Sequence, residues 1–187
     1  MHSAWFVHRD LSTSNILLSA NLEHAKVADF GTARSFASPL RSLAKDGPVS
    51  KLLYRAPEDL LEIPAEGPPT DTWSLGAIFC EMHLRRPIFR GREMKNKVLQ
   101  VEQLQAISSV MGAPCESRWP AVVNSAHWPD ISRTCACHTG KNELCSILEA
   151  AEGKCDRTLV DLAMAMLLYD PSKRCTASEA LKYTFLE

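Results

Sequence analysis

Acids and an amide recur at short, ordered spacing in the first third of this sequence. His8-Arg9-Asp10-Leu11-Ser12-Thr13-Ser14-Asn15 is followed by Asp29-Phe30-Gly31 and then by Ala56-Pro57-Glu58. Carboxylate and carboxamide oxygens are the hard donors that magnesium prefers. A carboxylate placed beside a hydroxyl also accepts its proton. Gly31 permits a sharp backbone turn directly after the second acid. Each run alone is weak, and Asp29 by itself reads as a turn residue after a strand.

The elements that must hold these residues are short at first and helical later. Ile16 to Leu18 and Lys26 to Ala28 read as two short strands around the turn-like Ser19-Ala20-Asn21. Residues 31 to 56 lack periodicity and contain Gly47-Pro48, so they read as a long functional loop. Trp73, Leu75, Ile78, Phe79 and Met82 are apolar on several faces, which predicts a central buried helix. Val98 to Met111 reads as an amphipathic helix that stops at Gly112 and Pro114. Residues 113 to 156 read as irregular. Leu159 to Tyr169 predicts a helix ended by Asp170-Pro171, and Ala177 to Phe185 another, with Thr176 or Ser178 at its cap. The fold class expected is mainly α with a small β-hairpin at the front.

Composition fits such a domain. The 187 residues carry 21 Lys plus Arg and 22 Asp plus Glu, a net charge of −1, with 45% apolar residues. There is no global basic excess to suggest nucleic acid and no apolar run of about 18 residues to suggest a membrane helix. The start of the sequence has no signal-peptide pattern. Seven cysteines at irregular spacing read as reduced thiols of an intracellular protein.

Together, in this order, the three motifs resemble the protein-kinase signature of catalytic loop, metal-binding triplet and end of the activation segment. The resemblance implies the C-lobe of a kinase domain over residues 1 to 187, with a catalytic loop at 8–15 and an activation segment at 29–58. It implies ATP and Mg2+ as cofactors. Asp10 is then the base that takes the substrate hydroxyl proton, and Asn15 and Asp29 are the magnesium ligands. Leu17 matches the apolar floor beneath adenine. Asp71, in Asp71-Thr72-Trp73-Ser74-Leu75-Gly76, is expected to accept backbone N–H groups of the catalytic loop. Glu58 and Arg174 match a pair that ties the activation segment to the C-terminal helices.

Tyr54-Arg55-Ala56-Pro57-Glu58, Arg86-Pro87-Ile88-Phe89-Arg90-Gly91 and Tyr169-Asp170-Pro171-Ser172-Lys173-Arg174 resemble the cyclin-dependent kinases. Residues 113 to 156 are similar to that group's insert. The segments Met1 to Trp5, Phe36 to Ala44, Val110-Met111-Gly112 and Trp119-Pro120 through Val123-Asn124 to His127-Trp128 resemble the Mediator-complex, cyclin C-dependent type. This resemblance implies serine/threonine phosphorylation of protein substrates in RNA polymerase II transcription. It implies a cyclin C-like partner, Mediator kinase-module subunits, and a nuclear location with the cytoplasm as alternative. No direct nucleic acid or membrane partner is expected.

The sequence also departs from that family. The residues contain no Gly-rich loop, no strand lysine, no partner helix glutamate and no cyclin-binding helix, so an N-lobe is expected to be missing from a partial sequence. Ser12 stands where the family carries a lysine, and Lys51 where it carries a threonine. One reading is a positional swap in which Lys51 supplies the lost charge. The other is decay or sequence error, leaving a catalytically inactive remnant that acts as a protein-binding module. Cys135-Ala136-Cys137-His138, with Cys145 and Cys155, has a spacing too close for the usual zinc pattern and reads as loop thiols. His2, His24, His83 and His127 show no carboxylate or cysteine pattern and read as structural or surface residues.

Asp46 falls where related kinases carry an activating phosphothreonine. Its carboxylate is expected to gather Arg9 and Arg34 without phosphorylation; the alternative is a solvated turn residue before Gly47-Pro48. Activity of the full-length kinase with Asp46→Ala separates the two: the first reading expects a fall, and no change selects the second.

Overall fold

The computed structural model describes residues 1–36, 51–64, 67–90, 99–134, 140, 142–151 and 156–186. Asp46, Cys135, Cys137, His138 and Cys155 lie outside them, so the expectations placed on those residues do too.

Helices dominate, with two small antiparallel ribbons at one edge. β1 (Phe6–Val7) pairs with β4 (Arg34–Ser35), and Val7 stands opposite Arg34. β2 (Ile16–Leu18) pairs with β3 (Ala25–Val27), and Leu17 stands opposite Lys26. The hairpin expected from the sequence is therefore present, with its second strand one residue earlier. A short 3-10 turn, Leu52–Tyr54, and α1 (Pro57–Leu60) close the long loop region. Pro57 opens α1 at a position where its missing N–H costs nothing.

α2 (Pro69–Leu84) is the central helix. Trp73, Ala77, Ile78 and Cys80 are buried along it, and so are the polar Thr70, Asp71, Thr72 and Ser74. Met82, expected within the buried helix, is instead 66% exposed near its C-terminal end. Upstream of it the helix is enclosed and has no solvent face to fill with charge, which is why its apolar residues show no stripe. α6 (Arg157–Met166) packs across it and starts on an Asp156 cap that accepts the Thr158 N–H at 2.9 Å. The crossing is close at Gly76, where an added Cβ would stand 2.8 Å from Met166 Cβ. No larger residue fits there without moving one helix.

α3 (Leu99–Met111) ends as expected at Gly112, whose φ of +72° favours glycine. The described residues between 113 and 156 are more ordered than the sequence implied. They contain a 3-10 turn at Pro120–Asn124, α4 (Trp128–Thr134) and α5 (Leu144–Glu149). Trp119, Val122, Ile131, Leu144 and Leu148 from this region are buried in the main core. Each piece is too short to show a period, and tertiary burial stabilises it instead.

α6 also stops earlier than expected, at Met166. The chain leaves the helix so that the Tyr169 hydroxyl donates to the Gly112 carbonyl at 2.8 Å. The last predicted helix is divided into α7 (Ala177–Ala180) and a 3-10 turn at Thr184–Leu186. Thr176 caps α7 in a reciprocal box with Glu179. Among the described residues, no helix is long and apolar enough to cross a membrane.

Candidate active site

The loop between β1 and β2 is built on a buried acid in α2. Asp71 accepts the His8 N–H and the Arg9 N–H, both at 2.8 Å, and contacts His2 Nε2 at 2.8 Å. Arg9 has a φ of +69°, a conformation that L-residues avoid. Two hydrogen bonds to one charged carboxylate offset that strain. The expectation for Asp71 thus matches the geometry. His2, which the sequence reads as structural or surface, is structural here: its carboxylate partner lies 69 residues away, beyond any local pattern.

His8 links this loop to the next motif. Its Nδ1 accepts the Asp10 N–H at 3.3 Å, so Nε2 carries the proton and donates to the Ala28 carbonyl at 3.0 Å. The ring also meets Phe30 edge-on at 5.0 Å. Thr32 Oγ1 donates to the His8 carbonyl at 2.9 Å. One neutral imidazole therefore ties residues 8–10 to residues 28–30.

Asp10 is held from both sides. Asn15 Nδ2 donates to its Oδ2 at 3.0 Å and to its carbonyl at 2.8 Å. The Lys51 N–H donates to Oδ1 at 3.1 Å. The Asn15 carbonyl accepts the Ala28 N–H at 2.8 Å, which sets Asn15 one residue across from Asp29. Asp29 has a φ of +61°, and its Oδ1 accepts the Gly31 N–H at 3.3 Å. Asn15 Oδ1 and Asp29 Oδ2 take no protein donor among the described residues. Those two oxygens fit a magnesium ion, which needs only one or two protein ligands beside substrate phosphates. No group of three or more His, Cys, Asp or Glu able to hold a metal occurs among the described residues. Leu17 is exposed on the outer ribbon, beside the exposed Leu18, Val27 and Phe30.

The returning segment is clamped to the same loop. Lys51 Nζ donates to Ser12 Oγ at 3.2 Å and to Ser14 Oγ. Thr13 Oγ1 and the Tyr54 hydroxyl lie 2.9 Å apart, and that hydroxyl donates to Glu81 Oε2 at 2.7 Å. Burial raises the Tyr54 pKa, and the Glu81 charge adds to the rise while Thr13 opposes it. Lys51 and Ser12 thus meet, as their positions implied. Sequence reading missed Thr13, Ser14 and Glu81, because nothing local marks a tyrosine that will bridge a loop to a helix.

Below the cleft, Arg174 grips Glu58 through two bonds of 2.5 and 2.6 Å, with both side chains fully buried. Arg174 also donates to the carbonyls of Leu168, Pro69 and Tyr169, and lies over the Trp73 ring at 4.9 Å. The expected pair is therefore formed, and Nε, Nη1 and Nη2 of the guanidinium all donate. Beside it, burial and the Glu58 charge push Asp59 up to about 7, against the pull of Arg174, Arg55 and Arg9. Burial lowers the Arg55 pKa, opposed by Asp59 and Asp10. Arg34, opposite Val7, donates to the Ala33 carbonyl at 2.9 Å.

This arrangement has known counterparts. The protein kinase domain family matches residues 1–186. "Cyclin-dependent kinase E-1" of Arabidopsis thaliana is 37% identical over 99% of this chain and 40% of its own length. "Probable cyclin-dependent kinase 8" of Dictyostelium discoideum is 37% identical over 100% of this chain and 49% of its own. The chain thus spans less than half the length of either relative. Among solved structures, the yeast RNA Pol II CTD kinase CTDK-1 complex superposes with a TM-score of 0.82 at 30% identity, over 98% of this chain and 56% of that one.

Two outcomes follow from the buried charges. Arg174→Met leaves Glu58 buried and unpaired, and the expected loss is about 3–5 kcal/mol in urea denaturation. Asp59 binds its proton more tightly folded than unfolded, so its contribution is full below about pH 4 and is lost as pH rises through about 7. Asp59→Asn is therefore expected to flatten the fall in unfolding free energy between those limits. An unchanged slope would assign the pH dependence to other groups.

Proposed function

The chain belongs to the protein kinase family, and from that premise we propose that it supplies the C-lobe chemistry of a cyclin-dependent-type serine/threonine kinase using ATP and magnesium. One observation carries the reading. Asp10 has a side-chain donor on one carboxylate oxygen and a backbone donor on the other, from Asn15 and Lys51. A general base fixed in this way keeps one orientation toward an incoming hydroxyl.

In the proposed reaction, a serine or threonine hydroxyl oxygen of a protein substrate bonds to the γ-phosphorus of ATP. The bond from that phosphorus to the bridging oxygen breaks, ADP leaves, and the hydroxyl proton passes to Asp10. Asn15 Oδ1 and Asp29 would hold magnesium, which neutralises charge on the phosphates. Leu17 offers apolar surface to adenine. The His8 ring keeps Asp10 and Asp29 in a common frame through Ala28 and Phe30.

The finer assignment rests on likeness. The motifs from Phe36 onward and the insert from 113 to 156 support a Mediator-type kinase, a cyclin C-like partner with Mediator kinase-module subunits, and a nuclear location. The CTDK-1 complex is a kinase of the RNA polymerase II CTD, which supports a polymerase-tail or transcription-factor substrate here. A second reading, an inactive protein-binding remnant, draws on Ser12, a neutral side chain beside the proposed base.

Calorimetry of the 187-residue chain with ATP separates the two. The kinase reading expects weak binding that requires magnesium and is lost in Asp29→Asn. It also expects Asp10→Asn in the full-length kinase to lower kcat by about 10²–10⁴-fold. Binding that is indifferent to magnesium and to Asp29 would favour the remnant.

A further inference from the structure

We propose that Lys51 is the cation of the catalytic loop, with its ammonium positioned to contact the transferring phosphoryl group. The inference rests on the kinase reading above and decides between the two readings of Ser12 and Lys51 in favour of the positional swap.

The geometry has three parts. First, Lys51 is anchored at the reacting centre by its own backbone, since its N–H donates to Asp10 Oδ1 at 3.1 Å. Second, its side chain turns back along the loop between base and metal ligand. The ammonium donates to Ser12 Oγ and to Ser14 Oγ, which flank Thr13 between Asp10 and Asn15. Ser12 and Ser14 are themselves joined at 3.1 Å, so the two acceptors form one cradle. Third, those partners are neutral. Among the described residues no carboxylate pairs with the Lys51 ammonium. Hydroxyls orient a cation without cancelling its charge.

A cation held beside a general base, over the loop that ends in a magnesium ligand, presents that charge where negative charge develops during phosphoryl transfer. Fixed cations at that place are a main source of rate in such reactions. Lys51 is exposed, so holding it there carries little desolvation cost. Ser12 is fully buried, which gives the cradle a rigid floor. The bland alternative is a surface lysine that merely staples the returning segment to the loop.

Two readouts test the inference. Acetylation of the 187-residue chain, read lysine by lysine by mass spectrometry, is compared without and with magnesium and ATP at the level that saturates the calorimetric curve. The expected result is at least fivefold slower labelling at Lys51, with Lys173 unchanged as an internal reference. Equal labelling of Lys51 under both conditions, while calorimetry registers binding, overturns this inference and leaves the kinase reading standing. No magnesium-dependent binding at all overturns the kinase reading and this inference with it.

The second readout uses the full-length kinase. Lys51→Met is expected to lower kcat by about 10²–10³-fold with the KM for ATP and peptide within about twofold. Ser12→Lys combined with Lys51→Thr is expected to recover activity to within about tenfold of the starting protein, because the charge returns to the same stretch of loop between Asp10 and Asn15. A structural staple would instead raise KM or weaken folding, and a lysine at position 12 would not rescue it. Full kcat in Lys51→Met overturns the proposal.

Discussion

The geometry of the whole cleft depends on one buried carboxylate. Asp71 accepts two consecutive backbone N–H groups from the loop, at His8 and Arg9, and contacts His2 as well. Those bonds hold Arg9 in a left-handed conformation that an arginine would otherwise leave. The turn at Arg9 sends Asp10 in one direction and the His8 ring in the other. Everything downstream follows from that divergence: His8 reaches Ala28 and Phe30, and Asp10 meets Asn15 and the Lys51 N–H. Asp71 can do this because it is buried at the start of α2, where a charged acceptor is strong.

A second buried charge system supports the floor. The Glu58–Arg174 fork joins the end of the returning segment to the chain after α6, across 116 residues of sequence. Such a pair is not a large net source of stability, since desolvation opposes the attraction. Its effect is on specificity of arrangement. Arg174 binds three carbonyls as well as Glu58, so α1, the start of α2 and the end of α6 share one set of donors. Asp59 sits beside this fork and feels both burial and Glu58, which is why its proton is held so firmly.

Between these two systems the cleft combines rigid and open parts. The loop, the imidazole bridge and the Tyr54–Glu81 contact are fixed by directional bonds. The outer ribbon is different: Leu17, Leu18 and Val27 are apolar and exposed, and so is Phe30 in the turn that follows. The chain also spans 56% of the chain that it superposes on in the CTDK-1 complex. In the proposed kinase, the surface around Leu17 is where adenine and further protein would lie.

The sequence by itself determined the kinds of chemistry and the main helices. Asp10, Asn15, Asp29, Glu58, Asp71 and Arg174 stand in motifs whose order is local, and Gly112 and Thr176 are end signals that act within a few residues. The hairpin at Ile16–Leu18 was legible because period-2 patterns and turn residues are short-range. Tertiary structure alone decided what depends on distant groups meeting. α6 ends at Met166 because Tyr169 bonds to Gly112 and Arg174 collects the carbonyls beyond it, contacts that no window along the chain contains. The pieces between 113 and 156 are ordered because their apolar residues find the core, although each is shorter than a helical period needs to be recognised. His2 on Asp71, Glu81 on Tyr54 and the Ser12–Ser14 cradle for Lys51 belong to the same class. Hydrogen bonds between side chains far apart in sequence leave no periodicity, so only folding brings their partners together.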